Sequence, residues 1–209
     1  MINPHIMKII IAARKTDSIN AISKRAGISF GWTHKWVTEL AREGVVKPSR
    51  MMLTINTKNL VYKKTLAYIK AIFRQDIRFY YSVLSLMGIV YCFTKTDAVF
   101  VWTKGGYQIG RSKEYYPIFA KIRKQDKKIF EDYVRKLGLQ VNAKRGVFFH
   151  PEFVQDFPIE MCENIPVDPL EDTIAFMKKQ FYNFQPALEM IQEMYGMELG
   201  VHYKEIWQL

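Results

Sequence analysis

The chain has 209 residues, 49% of them hydrophobic and 14% aromatic, with a formal net charge of +11, which suits one large or two small packed domains and excludes a disordered chain. No apolar run approaches the roughly 20 residues of a membrane span, Pro4 and His5 interrupt anything like a secretory leader, and the only cysteines are Cys92 and Cys162, without a CxxC spacing. A membrane partner, a disulfide framework and a zinc site are therefore not expected, and the reducing cytoplasm is the expected compartment.

The charge is unevenly placed. Residues 1–75 carry 14 basic side chains against Asp17, Glu39 and Glu43, a net +11. Residues 76–146 carry 14 basic and six acidic side chains, and residues 147–209 three basic and 11 acidic ones. The basic head points to a polyanion, and the acidic tail to a basic surface of this chain or of another protein.

Taken in chain order, "HIMKIIIAARK" after Pro4 predicts a first helix. Ser18 is a good N-cap for "INAISKRAG", and Gly27 can end that helix in the left-handed conformation. Ser29 caps a third helix in which Thr33, Trp36, Val37 and Leu40 fall at i, i+3, i+4 and i+7, so Trp36 reads as core. Phe30, Gly31, Trp32, His34, Lys35 and Thr38 are left on the other faces. After Gly44, "VVKPSRMMLTIN" predicts two short strands around a turn of Pro48, Ser49 and Arg50.

The segments "ISKRAGIS", "FGWTHKWVTELAREG" and "VVKPSRMMLTI" together resemble a winged helix-turn-helix domain of the MarR-like and other archaeal or bacterial regulators, over about residues 1–75. That resemblance implies a recognition helix in the major groove of double-stranded DNA and a wing on the backbone or minor groove. It also implies roles. Lys35 and His34 would reach base edges or phosphates, with Thr38 a turn further on, and Ser29 would offer its hydroxyl and backbone N–H to a phosphate. Gly31 would allow close approach. Phe30 and Trp32 stand where such families often carry polar residues, and either touch DNA or pack at a rim. Lys47, Ser49 and Arg50 are the wing candidates, and Arg14, Lys15, Lys24 and Arg25 the expected backbone contacts.

Residues 59–87 follow as a linker helix, capped by Asn59, that could pair two copies into a homodimer. From residue 88 the expectation is a mixed α/β domain with a small antiparallel sheet, giving an α+β protein overall. "GIVYCFTK", "AVFVWTK", "YQIGR", "YYPIFAKI" and "GVFFH" predict strands, and "KQDKKIFEDYVRKLG", "PLEDTIAFMKKQFYNF" and "QPALEMIQEMYGM" predict helices.

Chemistry finds little support in the motifs. Gly105, Gly106 and Gly110 lack the rest of a phosphate loop, His150-Pro151-Glu152 lacks the downstream PCxxC of zinc deaminases, and Asp168, Glu171 and Asp172 suit the start of a helix. The expectation is no enzyme and no cofactor. The second domain then serves as a sensor for a small-molecule effector, an oligomerisation unit or a dock for a protein partner, which the acidic tail could bind. The leading reading is a sequence-specific regulator of transcription. The alternatives are an antitoxin-like protein-interaction module and a DNA-processing or replication-associated protein anchored by the winged helix.

Overall fold

A computed structural model describes residues 3–201. The protein is α+β with two sheets and divides into two compact units, residues 1–89 with 128–139, and residues 90–127 with 140–209. No helix of the described residues is long and apolar enough to cross a membrane.

The first unit opens with α1 (Pro4–Ala12), started by Asn3, whose side chain accepts from His5 N at 2.9 Å. Its consecutive Ile9, Ile10 and Ile11 are all buried. The short strand β1 (Thr16–Asp17) leads to α2 (Ile19–Ala26), capped by Ser18 and ended by Gly27 at φ 59°. Ser29 then caps α3 (Phe30–Arg42), which buries Thr33, Val37 and Leu40 on one stripe. Strands β2 (Val46–Pro48) and β3 (Leu53–Ile55) form a hairpin, and β1 adds to it in the antiparallel order β1-β3-β2. The third strand was not expected; two residues are too few to show an alternating pattern.

The expected linker helix is two helices. Asn59 caps α4 (Leu60–Phe73), and Asp76 caps α5 (Ile77–Met87) by accepting from Phe79 N at 3.0 Å. Both pack in the first unit together with α7 (Lys127–Leu137), a helix distant in sequence. The Tyr133 hydroxyl of α7 donates to the Ala12 carbonyl. Lys136 Nζ donates to the carbonyls of Ile10 at 2.5 Å, Ile11 at 2.9 Å and Ala13 at 2.5 Å. One ammonium thus fills three carbonyls at the end of α1 that have no helical partner.

A buried ion pair fixes the base of α2. Asp17 pairs with Arg25 and accepts from the backbone N–H groups of Arg14 at 2.9 Å and Ser18 at 3.0 Å. Arg25 Nε also donates to the Ala12 carbonyl at 3.1 Å.

The second unit holds a five-stranded sheet in the order β6-β5-β4-β8-β7. Its strands are β4 (Tyr91–Phe93), β5 (Tyr115–Arg123), β6 (Gly146–Val154), β7 (Glu160–Cys162) and β8 (Ile165–Val167). The expected small antiparallel sheet is corrected here, because the sheet is mixed: β5 runs parallel to β6 and β4 to β8, whereas β4 to β5 and β7 to β8 are antiparallel. Parallel neighbours need a crossover, and α7 supplies the one between β5 and β6. The β7–β8 hairpin escaped the sequence reading because its central residues, Glu163 and Asn164, both take positive φ without the usual glycine.

"AVFVWTK" forms α6 (Lys95–Trp102), not a strand, and "YQIGR" contains no strand. Asp97, Ala98, Val99, Val101 and Trp102 are all buried, so α6 has little polar face to mark a helical period. Helices α8 (Leu170–Lys179) and α9 (Phe181–Tyr195) complete the unit, with the break at Gln180 and Pro186 inside α9.

Candidate nucleic-acid interface

The exposed side of α3 gathers most of the residues expected to read DNA. Ser29 is exposed, and its hydroxyl accepts from Trp32 N at 3.4 Å. Phe30 is 54% exposed and Trp32 39%, and His34 and Lys35 lie open beside them. A Cβ at Gly31 would meet nothing within 4 Å, so packing within the chain does not require a glycine there. Thr38 is half-buried and turns back, its hydroxyl donating to the His34 carbonyl at 2.9 Å.

The aromatic rings form a cluster that the spacing along α3 only half reveals. Trp32 meets Trp36 edge to face at 6.0 Å, and His5 of α1 meets Trp32 edge to face at 5.6 Å while stacking on Trp36 at 6.3 Å. Lys35 Nζ lies over both indoles. Trp36 was expected in the core but is half-buried, because α1 covers it with the polar ring of His5 and not with an aliphatic side chain. His5 was missed, and no local signal could have found it, since it reaches α3 only through tertiary packing.

In the β2–β3 hairpin Lys47, Ser49 and Arg50 are all exposed. Ser49 closes the turn, its N–H donating to the Met52 carbonyl at 2.7 Å and its hydroxyl to the same oxygen at 3.1 Å. The tip is apolar as well as basic: Met51 is 84% exposed. Lys15 and Lys24 are exposed cations of the same unit.

Two expected backbone contacts require correction. Arg25 is turned inward onto Asp17 and the Ala12 carbonyl, and its side chain is only 11% exposed. Arg14 Nη2 donates to the carbonyls of Met87 at 3.0 Å and Gly88 at 3.1 Å. Both side chains hold the unit together: Arg25 answers the buried Asp17 carboxylate and the Ala12 carbonyl, and Arg14 ties the end of α5.

In the second unit Asp168 and Asp97 are buried in polar networks, whereas His150, Glu171 and Asp172 are exposed. Asp168 was expected as a helix-start charge, but it is buried, accepting from Lys121 Nζ at 2.8 Å, from the Thr94 hydroxyl and from the Cys92 thiol at 3.3 Å. Glu171 and Asp172 do sit in the first turn of α8. Burial, with the Asp168 charge adding to it, pushes the Cys92 thiol well above its ordinary range, which makes it a poor nucleophile. Burial disfavours the Lys121 charge, yet the hydrogen bond and charge of Asp168 outweigh it and raise that pKa. Asp97 and Arg111 form a second buried pair at 2.6 Å, with Asp97 also accepting from Phe119 N at 2.7 Å. His150 packs against the Phe119 ring at 5.2 Å, and Glu152 pairs with Lys95.

Comparison with protein-family models, with curated proteins and with solved structures returned no match. The functional reading accordingly rests on the geometry and charge of the molecule.

Proposed function

We propose that the first unit is a winged-helix domain that binds double-stranded DNA, and that the protein is a sequence-specific regulator of transcription. In this reading α3 enters the major groove, leading with Ser29, Phe30, Gly31, Trp32, His34 and Lys35. Lys47, Ser49 and Arg50 of the β2–β3 hairpin approach the backbone or minor groove. The observation that carries the proposal is the exposed face of α3, with its free glycine and Lys35, inside a 75-residue segment of net charge +11. Neutralisation of phosphates by such a segment supplies affinity, and side chains on α3 supply selectivity.

The test is fluorescence anisotropy of the whole protein with the duplex upstream of its own gene and with a scrambled duplex, each across a salt series. Binding tighter to the upstream duplex by about a thousandfold or more is the expected result. Equal and steeply salt-dependent binding makes the protein a general DNA binder. The exposure of Phe30 and Trp32 favours one second reading, a protein-binding face on α3. A protein that co-purifies in stoichiometric amount, with no affinity for either duplex, would select it.

A further inference from the structure

We propose that the first unit also contains a binding site for a small organic anion with an apolar body, in a groove between α4, α7 and the β1–β3 strand pair. The groove has a volume of about 750 Å³, within the range of roughly 300–1,000 Å³ typical of small-molecule sites. It includes no residue of α3 and none of the β2–β3 turn, and of the cations expected on the DNA backbone only Lys15 and the inward-turned Arg14 line it.

Its chemistry is two-sided. Ala13, Ile55, Tyr62, Leu66 and Ile129 give it an apolar floor, of which Ala13, Ile55 and Tyr62 are buried. Beside Lys136, whose amine is taken up by the carbonyls of α1, the walls carry five cations and a single carboxylate, that of Asp132, which already pairs with Arg135 at 3.3 Å. Lys15 and Lys63 are exposed at the rim and Lys70 is half-buried. Arg14 adds an independent indication: its Nη2 is engaged by Met87 and Gly88, but its Nε is buried without a hydrogen-bond partner among the described residues. A buried donor left unfilled is costly.

These features select the ligand class. A cation would be repelled by the walls, and a neutral apolar molecule would leave the excess positive charge uncompensated. A carboxylate or phosphate monoester would neutralise part of it through charge-assisted hydrogen bonds, while an aliphatic or aromatic body removes the floor from water. The same anionic head could belong to either acid, so the experiment separates them.

The whole protein, stripped of nucleic acid at high salt, is titrated with 1-anilinonaphthalene-8-sulfonate, an anion with an aromatic body that fluoresces when its surroundings dry. The bound probe is then competed with naphthalene-2-carboxylate, 2-naphthyl phosphate and the neutral naphthalene-2-carboxamide. One saturable site per chain is expected, with at least one of the two anions displacing the probe about tenfold better than the amide. The stronger competitor identifies the head group. Leu66→Trp, which fills the floor, and Lys63→Glu, which reverses a rim charge, should each weaken the probe about tenfold at an unchanged thermal midpoint. If Leu66→Trp does not fold, the exposed Lys63→Glu carries the comparison. Non-saturable binding, equal displacement by the amide, or indifference to Lys63→Glu would overturn the site. Displacement of the probe by a random-sequence duplex would also overturn it, by assigning the groove to nucleic acid.

Discussion

The ammonium of Lys35 lies 4.5 Å from the centre of the Trp32 ring and 5.6 Å from that of Trp36. At an exposed site such a contact is worth roughly 0.5–1 kcal/mol, enough to bias where the flexible lysine points. Trp32 and Lys35 are therefore a positioned pair on the open face of α3. If the pair reads bases, Lys35→Ala should cost about 1–3 kcal/mol of binding to the specific duplex and much less on random DNA. Trp32→Phe, which keeps a ring under the ammonium, should lose less than Trp32→Ala. Anisotropy titrations on both duplexes make the comparison; equal losses on the two would reduce Lys35 to a phosphate contact.

Asp17 and Arg25 set the stability of the first unit. The carboxylate is 5% exposed and its remaining acceptors are occupied by the N–H groups of Arg14 and Ser18. Removing one member of a buried pair leaves the other charge stranded, at a typical cost of about 3–5 kcal/mol. Arg25→Met should thus lower the urea midpoint strongly, whereas Lys24→Ala, one residue earlier and exposed, should stay within about 0.5 kcal/mol of the parent. Similar effects from the two would mean that Arg25 is a surface charge in solution.

The same arginine shows where sequence reading ends. Ser18, Gly27, Ser29 and Asn59 mark helix ends by local chemistry, and each sits at the end it predicts. The basic excess of the head was legible as a count along the chain, and the exposed face of α3 followed from spacing along one helix. Whether Arg14 and Arg25 face solvent or a carboxylate depends on partners that the spacing does not specify. His5 under Trp36, and α7 against α1, are likewise products of tertiary packing. The buried α6 resembled a strand because nearly every side of it is covered, which erases its period.

Gly88 ends α5 at φ 63°, and a Cβ there would meet Arg25 Cδ at 2.5 Å. Arg25 cannot swing aside without leaving Asp17 and the Ala12 carbonyl. Gly27 ends α2 at a similar φ of 59°, but a Cβ there would find only Lys8 Nζ, at 4.0 Å. Gly27→Ala should therefore show the left-handed backbone cost alone, about 1–2 kcal/mol. Gly88→Ala should lose clearly more than that. Denaturation of the two variants side by side reads the difference, and equal losses would show that the Arg25 side chain yields at no cost.

Lys136 makes the stability of the first unit depend on pH. Burial pushes its pKa down from 10.5 to about 7, the nearby Arg25 charge acts in the same direction, and Asp17 opposes them. The Tyr133 ring also faces it, at 5.1 Å from the ammonium. Between pH 7 and 10.5 the unfolded chain holds a proton on Lys136 that the folded chain has largely released. Unfolded chains that bind more protons make stability rise with pH, so this lysine should add stability as the pH climbs above 7. Below about 7 the ammonium is present in both states and its contribution is flat. Tyr133, whose own pKa burial raises, works in the opposite sense only above its ordinary value of 10.0, which leaves pH 7 to 9 as the informative window. Urea unfolding of the wild type and of Lys136→Met at pH 6, 7, 8 and 9 isolates the effect. The wild type should gain on the variant as the pH rises from 7 to 9 and hold a constant offset from it below 7. A constant offset across the whole range would mean that the three carbonyls of Ile10, Ile11 and Ala13 keep the ammonium charged and outweigh its burial.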